Sequence, residues 1–370
     1  MDSRLTQFDT MIKVNDGATN NDYGYYPENR PISQLLNYGL ILLDKPSGNT
    51  SHEIVSYVKK ILQLEKAGHS GTLDPGTTGL LPIGLEEGTK IVPVLLLGPK
   101  EYVALGRLHS HVSHEKMNQI VREFTGTIYQ RPPQRSSVKR QTRIRSIYEF
   151  EILDQFDRLL LFRILCESGT YIRKLIYDIG EVLSVGASMI ELRRTRVSNF
   201  ADESMFVRLH DLVNAFETYK ETGQEDKLRK IIHPIEIAMT NLPAVMVRDT
   251  AVDALCHGAQ LALPGIVSIS KGINKGDLVG IYSLKGEIVG LGISLLDFND
   301  FFHMKKGICL EIKRIVMKPN TYPKFWSSGD SAEFRKNDDD DDDDGSVDGV
   351  AEIDQTDDDS IVVDDDSVED

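Results

Sequence analysis

Apolar positions recur along the chain at both strand and helix spacings. Residues 39–43 form a compact apolar run of strand length, and Pro46-Ser47-Gly48 behind it spells a turn. Ile54, Val55, Val58, Ile61 and Leu62 fall on one face of a helix. Its start is marked by Thr50 and Glu53, spaced as a capping box requires. Gly68, Gly71, Gly76 and Gly79 then predict a loop with unusual backbone angles, because only glycine adopts left-handed conformations without cost. Residues 102–108 and 159–166 predict strands, and residues 113–124 a short amphipathic helix stopped by Gly126. Ile172, Leu175, Ile176, Ile179, Val182 and Leu183 form the apolar stripe of a further helix, entered through Ser168-Gly169-Thr170. Strands and helices mix without the regular alternation of a doubly wound parallel fold, so the predicted class is α+β.

Near Leu242-Pro243 the texture changes to short alternating strands at 245–247, 278–283, 287–293 and 309–317, with Lys285-Gly286 as a hairpin turn. Gly258, Gly265, Gly272, Gly276, Gly280, Gly290 and Gly292 are expected to supply tight corners. A small β-rich domain over residues 244–319 follows, behind a larger domain over 38–240. Residues 1–37 are polar and turn-rich and read as an arm, partly disordered or wrapped on a partner or on the chain itself. No internal repeat is visible.

Charge alters this picture. The formal charge is −15 over 370 residues, but residues 338–370 hold 18 Asp and Glu and no Lys or Arg, leaving 42 basic against 39 acidic residues elsewhere. The expected folded part is therefore mildly basic, and residues 327–370 are expected to be an acidic disordered tail. The three cysteines, Cys166, Cys256 and Cys309, form no C-x-x-C pair, which disfavours a disulfide framework or a cysteine zinc site and fits a reducing compartment. The longest apolar stretch, residues 91–97, is far too short to span a bilayer, so no membrane is expected; the start has no signal-peptide pattern, leaving cytosol or nucleus.

P-loop, dinucleotide-binding, zinc-protease and nucleophile-elbow signatures are all missing, so any reaction would use side chains alone, with no cofactor and no metal expected. Gly68-His69-Ser70-Gly71-Thr72-Leu73-Asp74-Pro75-Gly76 could present Asp74 rigidly as a nucleophile or acid/base group; it also reads as an ordinary Asp-Pro turn. Arg173 and Lys174 occupy the first turn of a helix, where the macrodipole disfavours cations by about 0.3–1 kcal/mol. A nearby anion would account for them, either Asp74 or a phosphate; two solvated cations are the plainer explanation. Residues 131–145 carry six basic side chains, Arg131, Lys139 and Arg140 among them, on a proline-stiffened segment suited to a nucleic-acid backbone. Ion pairs to Glu149 and Glu151 on a solvated face would satisfy them equally.

In order and spacing, these segments resemble the pseudouridine synthases of the TruB and dyskerin family across residues 30–326. The matching pieces are Leu43-Asp44-Lys45-Pro46-Ser47-Gly48, Thr50-Ser51-His52-Glu53, Gly68 to Pro75 and Lys100-Glu101-Tyr102. Further along come Arg131-Pro132-Pro133, Val138-Lys139-Arg140, Gly169-Thr170-Tyr171-Ile172-Arg173 and Glu191-Leu192-Arg193-Arg194. The eukaryotic and archaeal dyskerin branch is the more similar, on Ser70, residues 140–148, His233-Pro234-Ile235-Glu236 and Thr321-Tyr322-Pro323-Lys324-Phe325-Trp326.

The resemblance implies an α+β pseudouridine synthase domain with a mixed, largely antiparallel sheet, followed by a PUA domain. It implies that Asp74 is the catalytic aspartate, that Arg173 pairs with it, and that Tyr102 stacks on a flipped uridine. His69 would lie beside that nucleotide, and Lys45-Pro46 would shape the pocket floor. The target must leave its stack or lie in an open loop. The mechanism expects one carboxyl group kept from bulk water beside a guanidinium. In the dyskerin branch a box H/ACA guide RNA selects the uridine in ribosomal and other substrate RNAs, and three small core proteins complete the particle, in the nucleus and nucleolus. The aspartate-rich tail departs from the lysine-rich tails of animal members and removes a basic import signal. Two rival readings are a guide-free enzyme acting on the T-arm of tRNA and an RNA-stabilising scaffold whose catalysis is secondary.

Overall fold

The computed structural model describes residues 8–131 and 141–324. All described residues belong to one compact unit. Lys139, Arg140 and the acidic tail lie outside the described residues.

The chain enters through β1 (Ile12–Lys13) and α1 (Ile32–Asn37), then β2 (Gly39–Lys45), α2 (Ser51–Leu62), β3 (Ala67–His69) and β4 (Thr78–Leu85). Next come α3 (Val92–Leu97), β5 (Lys100–Leu108), α4 (His114–Glu123), β6 (Gly126–Gln130), β7 (Arg143–Phe156) and β8 (Leu159–Cys166). The first half closes with α5 (Ile172–Val182), β9 (Ala187–Val197), α6 (Leu209–Thr222), α7 (Asp226–Ile231) and β10 (Ile232–Pro234). All of these strands except β1 make a nine-stranded sheet in the order β10-β2-β4-β9-β5-β8-β7-β6, with β3 added to β4. Among the described pairings of this sheet, β4 with β9 is parallel and the others are antiparallel. The architecture is α+β.

Helix α2 forms where its capping box predicts: the Glu53 N–H donates to Thr50 Oγ1 at 3.1 Å and the Thr50 N–H to Glu53 Oε2 at 2.7 Å. It buries Ile54, Val55, Val58 and Leu62 against β2 and β4. Helix α5 packs Leu175, Ile176 and Ile179 into a second core with β5 and β8. Val182, expected on that stripe, is 56% exposed: it lies at the stripe's edge and lines a surface groove, while Ile179 and Leu183 stay buried.

The second sheet comprises β1, β11 (Ala244–Val247), β12 (Leu261–Ala262), β13 (Ile266–Ile269), β14 (Leu278–Tyr282), β15 (Ile288–Ser294) and β16 (Ile308–Ile315), in the order β1-β13-β11-β14-β15-β16-β12. The N-terminal segment thus contributes its edge strand, with Ile12 opposite Ile269. Gly258, Gly272, Gly276 and Gly286 have positive φ and turn corners. The expectation for Gly280, Gly290 and Gly292 is corrected: they lie inside strands, where a Cβ would strike the Tyr282 ring, the Arg314 carbonyl and the Glu311 carbonyl. A shared core joins the two sheets, with Leu40, Leu42 and Leu80 packed alongside Ala244, Tyr282, Ile288 and Val316.

Candidate active site

The expected loop is shorter than its glycines suggest. Gly68 lies in β3 and Gly79 in β4, so only residues 70–77 lie between strands, and Gly71 and Gly79 are the two with positive φ. Gly79 is glycine for a steric reason: a Cβ would sit 2.2 Å from the Arg194 carbonyl of the parallel neighbour β9.

The segment from Leu73 to Thr77 has every carbonyl engaged. The Leu73 carbonyl accepts from Ser51 Oγ at 3.2 Å, the Asp74 carbonyl from the Thr77 N–H at 2.9 Å, and the Pro75 carbonyl from the Gly48 N–H at 2.9 Å. Lys45 Nζ donates to the carbonyls of Pro46 at 2.9 Å, Pro75 at 3.0 Å and Thr77 at 2.9 Å, while Ser47 Oγ reaches the Gly76 carbonyl at 3.5 Å. Lys45 is fully buried, and burial pushes its ammonium pKa down. The Asp74 loop therefore rests on residues 45–51, with Leu73 and Thr77 turned inward and Asp74-Pro75-Gly76 exposed at the crest.

Arg173 Nη2 donates to Asp74 Oδ2 at 2.6 Å, joining the crest to the first turn of α5. Of the anions considered for the cations there, Arg173 takes Asp74, and Lys174 instead pairs with Asp178 one turn along. The expectation of a carboxyl kept from water is corrected. The Asp74 and Arg173 side chains are 57% and 64% exposed, with no described residue covering the crest.

Beneath the crest lie two more of the candidate groups. Tyr102, on β5, packs against both hydrophobic cores of the nine-stranded sheet, and burial raises its phenol pKa. His69 meets His52 edge to face with ring centroids 5.3 Å apart; burial, assisted by His52 and Arg194, lowers its pKa to about 4. Its Nδ1 is buried without a hydrogen-bond partner.

Arg194, given no role by its sequence context, lies almost wholly buried behind Tyr102. Its Nε donates to the Leu80 carbonyl at 2.8 Å and an Nη2 to the Gly71 carbonyl at 3.0 Å, and burial lowers its pKa. The adjacent Arg193 makes a bidentate pair with Asp44 at 2.8 and 3.2 Å, tying β9 to β2.

Lys100 donates to the carbonyls of Leu95 at 2.9 Å, Leu96 at 2.5 Å and Gly98 at 2.7 Å and to Ser168 Oγ at 3.2 Å; burial brings its pKa to about 8. This links the end of α3 to the turn that leads into α5. Arg131 is exposed and lines a groove with Tyr129, Lys174 and Asp178. Arg145 pairs with Glu167 at 3.2 Å, and Glu151 pairs with Arg163 at 2.5 Å.

Sequence profiles match nearly the whole described chain. The TruB family pseudouridylate synthase N-terminal domain covers residues 59–172, the tRNA pseudouridylate synthase B C-terminal domain 173–240, the PUA domain 243–316 and the DKCLD domain 1–55. A probable tRNA pseudouridine synthase B of Methanopyrus kandleri is 52% identical over 316 residues, 85% of this chain and 93% of that protein. The namesake in Pyrococcus furiosus is 48% identical over 322 residues, 87% of this chain and 95% of that one. Among solved structures, an H/ACA RNP bound to a substrate RNA containing 2'-deoxyuridine has a chain 45% identical with TM-score 0.80, covering 85% of this chain and 97% of its own. A Cbf5-Nop10-Gar1 complex has one 48% identical with TM-score 0.80, covering 85% and 96%.

Proposed function

The chain belongs to the TruB family of pseudouridine synthases and is an RNA pseudouridine synthase, and from that premise we propose that it is the catalytic subunit of a box H/ACA-type guide ribonucleoprotein with Asp74 as its essential carboxylate. Two solved assemblies, an H/ACA RNP bound to a substrate RNA and a Cbf5-Nop10-Gar1 complex, contain chains that match this one over most of both lengths. The observation that carries the assignment of Asp74 is its 2.6 Å contact with Arg173 on a loop whose carbonyls are all tied down.

The reaction is an isomerisation. The bond from ribose C1' to uracil N1 breaks with its electron pair going to the ring, the ring turns, and C5 bonds to C1'; the C5 proton is lost and N1 gains one. Asp74 serves as a nucleophile or stabilises the electron-poor sugar, and Arg173 fixes its orientation. Tyr102 offers its ring face to the everted base, with His69 beside it and Lys45 holding the floor. Because Asp74 is open to solvent among the described residues, the RNA itself would supply the cover that removes water from the reacting atoms. Arg131, Lys139 and Arg140 are assigned to the RNA backbone, and three small core proteins complete the particle.

Residence in the nucleus and nucleolus and a part in ribosomal RNA processing belong to the same reading; they rest on the similarity to the dyskerin branch, and imaging of the tagged chain checks them. The names of the curated relatives favour a second reading, a guide-free enzyme acting on tRNA. Sequencing pseudouridines formed by the purified chain, with and without an H/ACA guide and partner proteins, separates the two. Asp74→Ala is expected to abolish product in either assay while guide-RNA affinity stays within about twofold; retained product would overturn the assignment of Asp74.

A further inference from the structure

The residue immediately before Asp74 is held in an unusual way. Leu73 lies between β3, which ends at His69, and β4, which begins at Thr78, so its peptide groups have no strand partner. Its side chain is sunk into the core, and a buried N–H and C=O must find partners there. Both find the same one. The Leu73 N–H donates to Ser51 Oγ at 2.9 Å, and Ser51 Oγ donates to the Leu73 carbonyl at 3.2 Å. Ser51 is fully buried at the first position of α2, while the neighbouring hydroxyl, Thr50, caps that helix. Two consecutive hydroxyls thus divide the work: Thr50 satisfies the helix and Ser51 satisfies the loop.

We infer that Ser51 is a positioning residue for the isomerisation, its hydroxyl clamping the Leu73 peptide groups so that Asp74 leaves the core at a fixed angle toward Arg173. The geometry makes the clamp specific. The Leu73 side chain fixes one end of a lever, the reciprocal pair of hydrogen bonds fixes the backbone orientation, and the 2.6 Å contact with Arg173 fixes the far end. Lys45 grips the segment only beyond Asp74, at Pro75 and Thr77. Without the hydroxyl, the lever turns about the Leu73 side chain, and a misplacement of about 1 Å at a reacting group is enough to cost on the order of 100-fold in rate. RNA is gripped elsewhere, so the loss should fall on turnover and not on binding.

This inference rests on the reading of Asp74 above, and its test is arranged to fail separately. Full-length chain is assembled with guide RNA and partner proteins, and single-turnover rate, substrate-RNA affinity and thermal midpoint are measured for Ser51→Ala, Ser51→Cys and Asp74→Ala. Ser51→Ala is expected to lower the rate by about 10- to 100-fold with affinity within about twofold. Ser51→Cys, whose thiol is a weaker donor and acceptor of similar shape, is expected to recover part of that loss. A wild-type rate in Ser51→Ala, or a Ser51→Cys rate no better than that of Ser51→Ala, overturns the inference. If Ser51→Ala does not fold, Ser51→Cys decides alone: a lowered rate at unchanged affinity supports the clamp, and a wild-type rate or equal losses of rate and affinity refute it. Activity surviving in Asp74→Ala would instead remove the reading of Asp74, whatever Ser51 shows.

Discussion

At the residue scale the site combines exposed charge with buried charge. The Asp74–Arg173 pair lies open, where such pairs contribute about 0–1 kcal/mol to stability, so its close geometry serves function more than folding. Below it, Lys45, Lys100 and Arg194 are buried cations whose hydrogen bonds go mainly to backbone carbonyls. His69, partly buried, carries a pH consequence. Its pKa falls to about 4 from 6.5, chiefly by burial, so between those values the unfolded chain binds a proton that the folded chain refuses. Stability is then full above pH 6.5 and declines as pH falls toward 4, by up to about 3 kcal/mol. Urea titrations from pH 7 to 4.5 should show this decline flattened in His69→Gln; parallel curves for the two proteins would count against it. The roles of Asp74 and Arg173 came from motif order. Ser51 and Arg194 stood within the matching motifs but without a role, because a buried hydroxyl or guanidinium bonded to carbonyls leaves no spacing signature.

At the scale of elements, legibility followed periodicity. Helix α2 was readable in full, since Thr50 and Glu53 announce its start and four apolar residues its buried face. Strands β7 and β9 were missed. In β9 the run Glu191-Leu192-Arg193-Arg194-Thr195-Arg196 shows no apolar alternation, because a buried position is filled by Arg194, bonded to carbonyls, and the partly buried Arg193 beside it pairs with Asp44. Strand β4 was obscured by Gly79, Pro82 and Gly84, which read as loop punctuation; Gly79 and Gly84 are there because neighbouring backbone approaches within 3 Å of where a Cβ would lie. The two hydroxyls that open α2 allow the element's stability to be separated from the site's geometry. Thr50→Ala removes only the cap, so it should cost about 1 kcal/mol, read as a fall of a few degrees in the thermal midpoint, and leave turnover within about twofold. A turnover loss matching that of Ser51→Ala would show that the start of the helix, and not the hydroxyl clamp, sets the position of Asp74.

For the whole of residues 1–325, the sequence showed two textures but not what unites them. Arg30, on the N-terminal segment, makes a fully buried bidentate pair with Glu236 at 2.6 and 2.8 Å, and Glu236 also accepts from the Ile288 N–H at 3.0 Å. Glu287 lies 3.9 Å from the same guanidinium and accepts from the Tyr322 hydroxyl at 2.7 Å, while Lys285 donates to the carbonyls of Asn21, Tyr23 and Gly24. One arginine thus links the arm, the segment after β10 and the β14–β15 hairpin. Those contacts lie far apart in sequence and follow no local pattern, which is why they could not be read in advance. Removing Arg30 leaves two carboxylates in a site that excludes water, and burial already pushes the Glu287 carboxyl upward in pKa. Arg30→Ala should therefore cost about 3–5 kcal/mol at pH 7 in denaturant unfolding. Protonation then removes the buried charge, so the gap between variant and wild type should narrow as pH falls from 7 toward 5. A loss below about 1 kcal/mol, or a gap that widens on acidification, would mean that the shared apolar core joins the two sheets without help from this network. Equal widths of the unfolding transition in both proteins, with only the midpoint moved, would show that the sheets still unfold together when the arginine is gone.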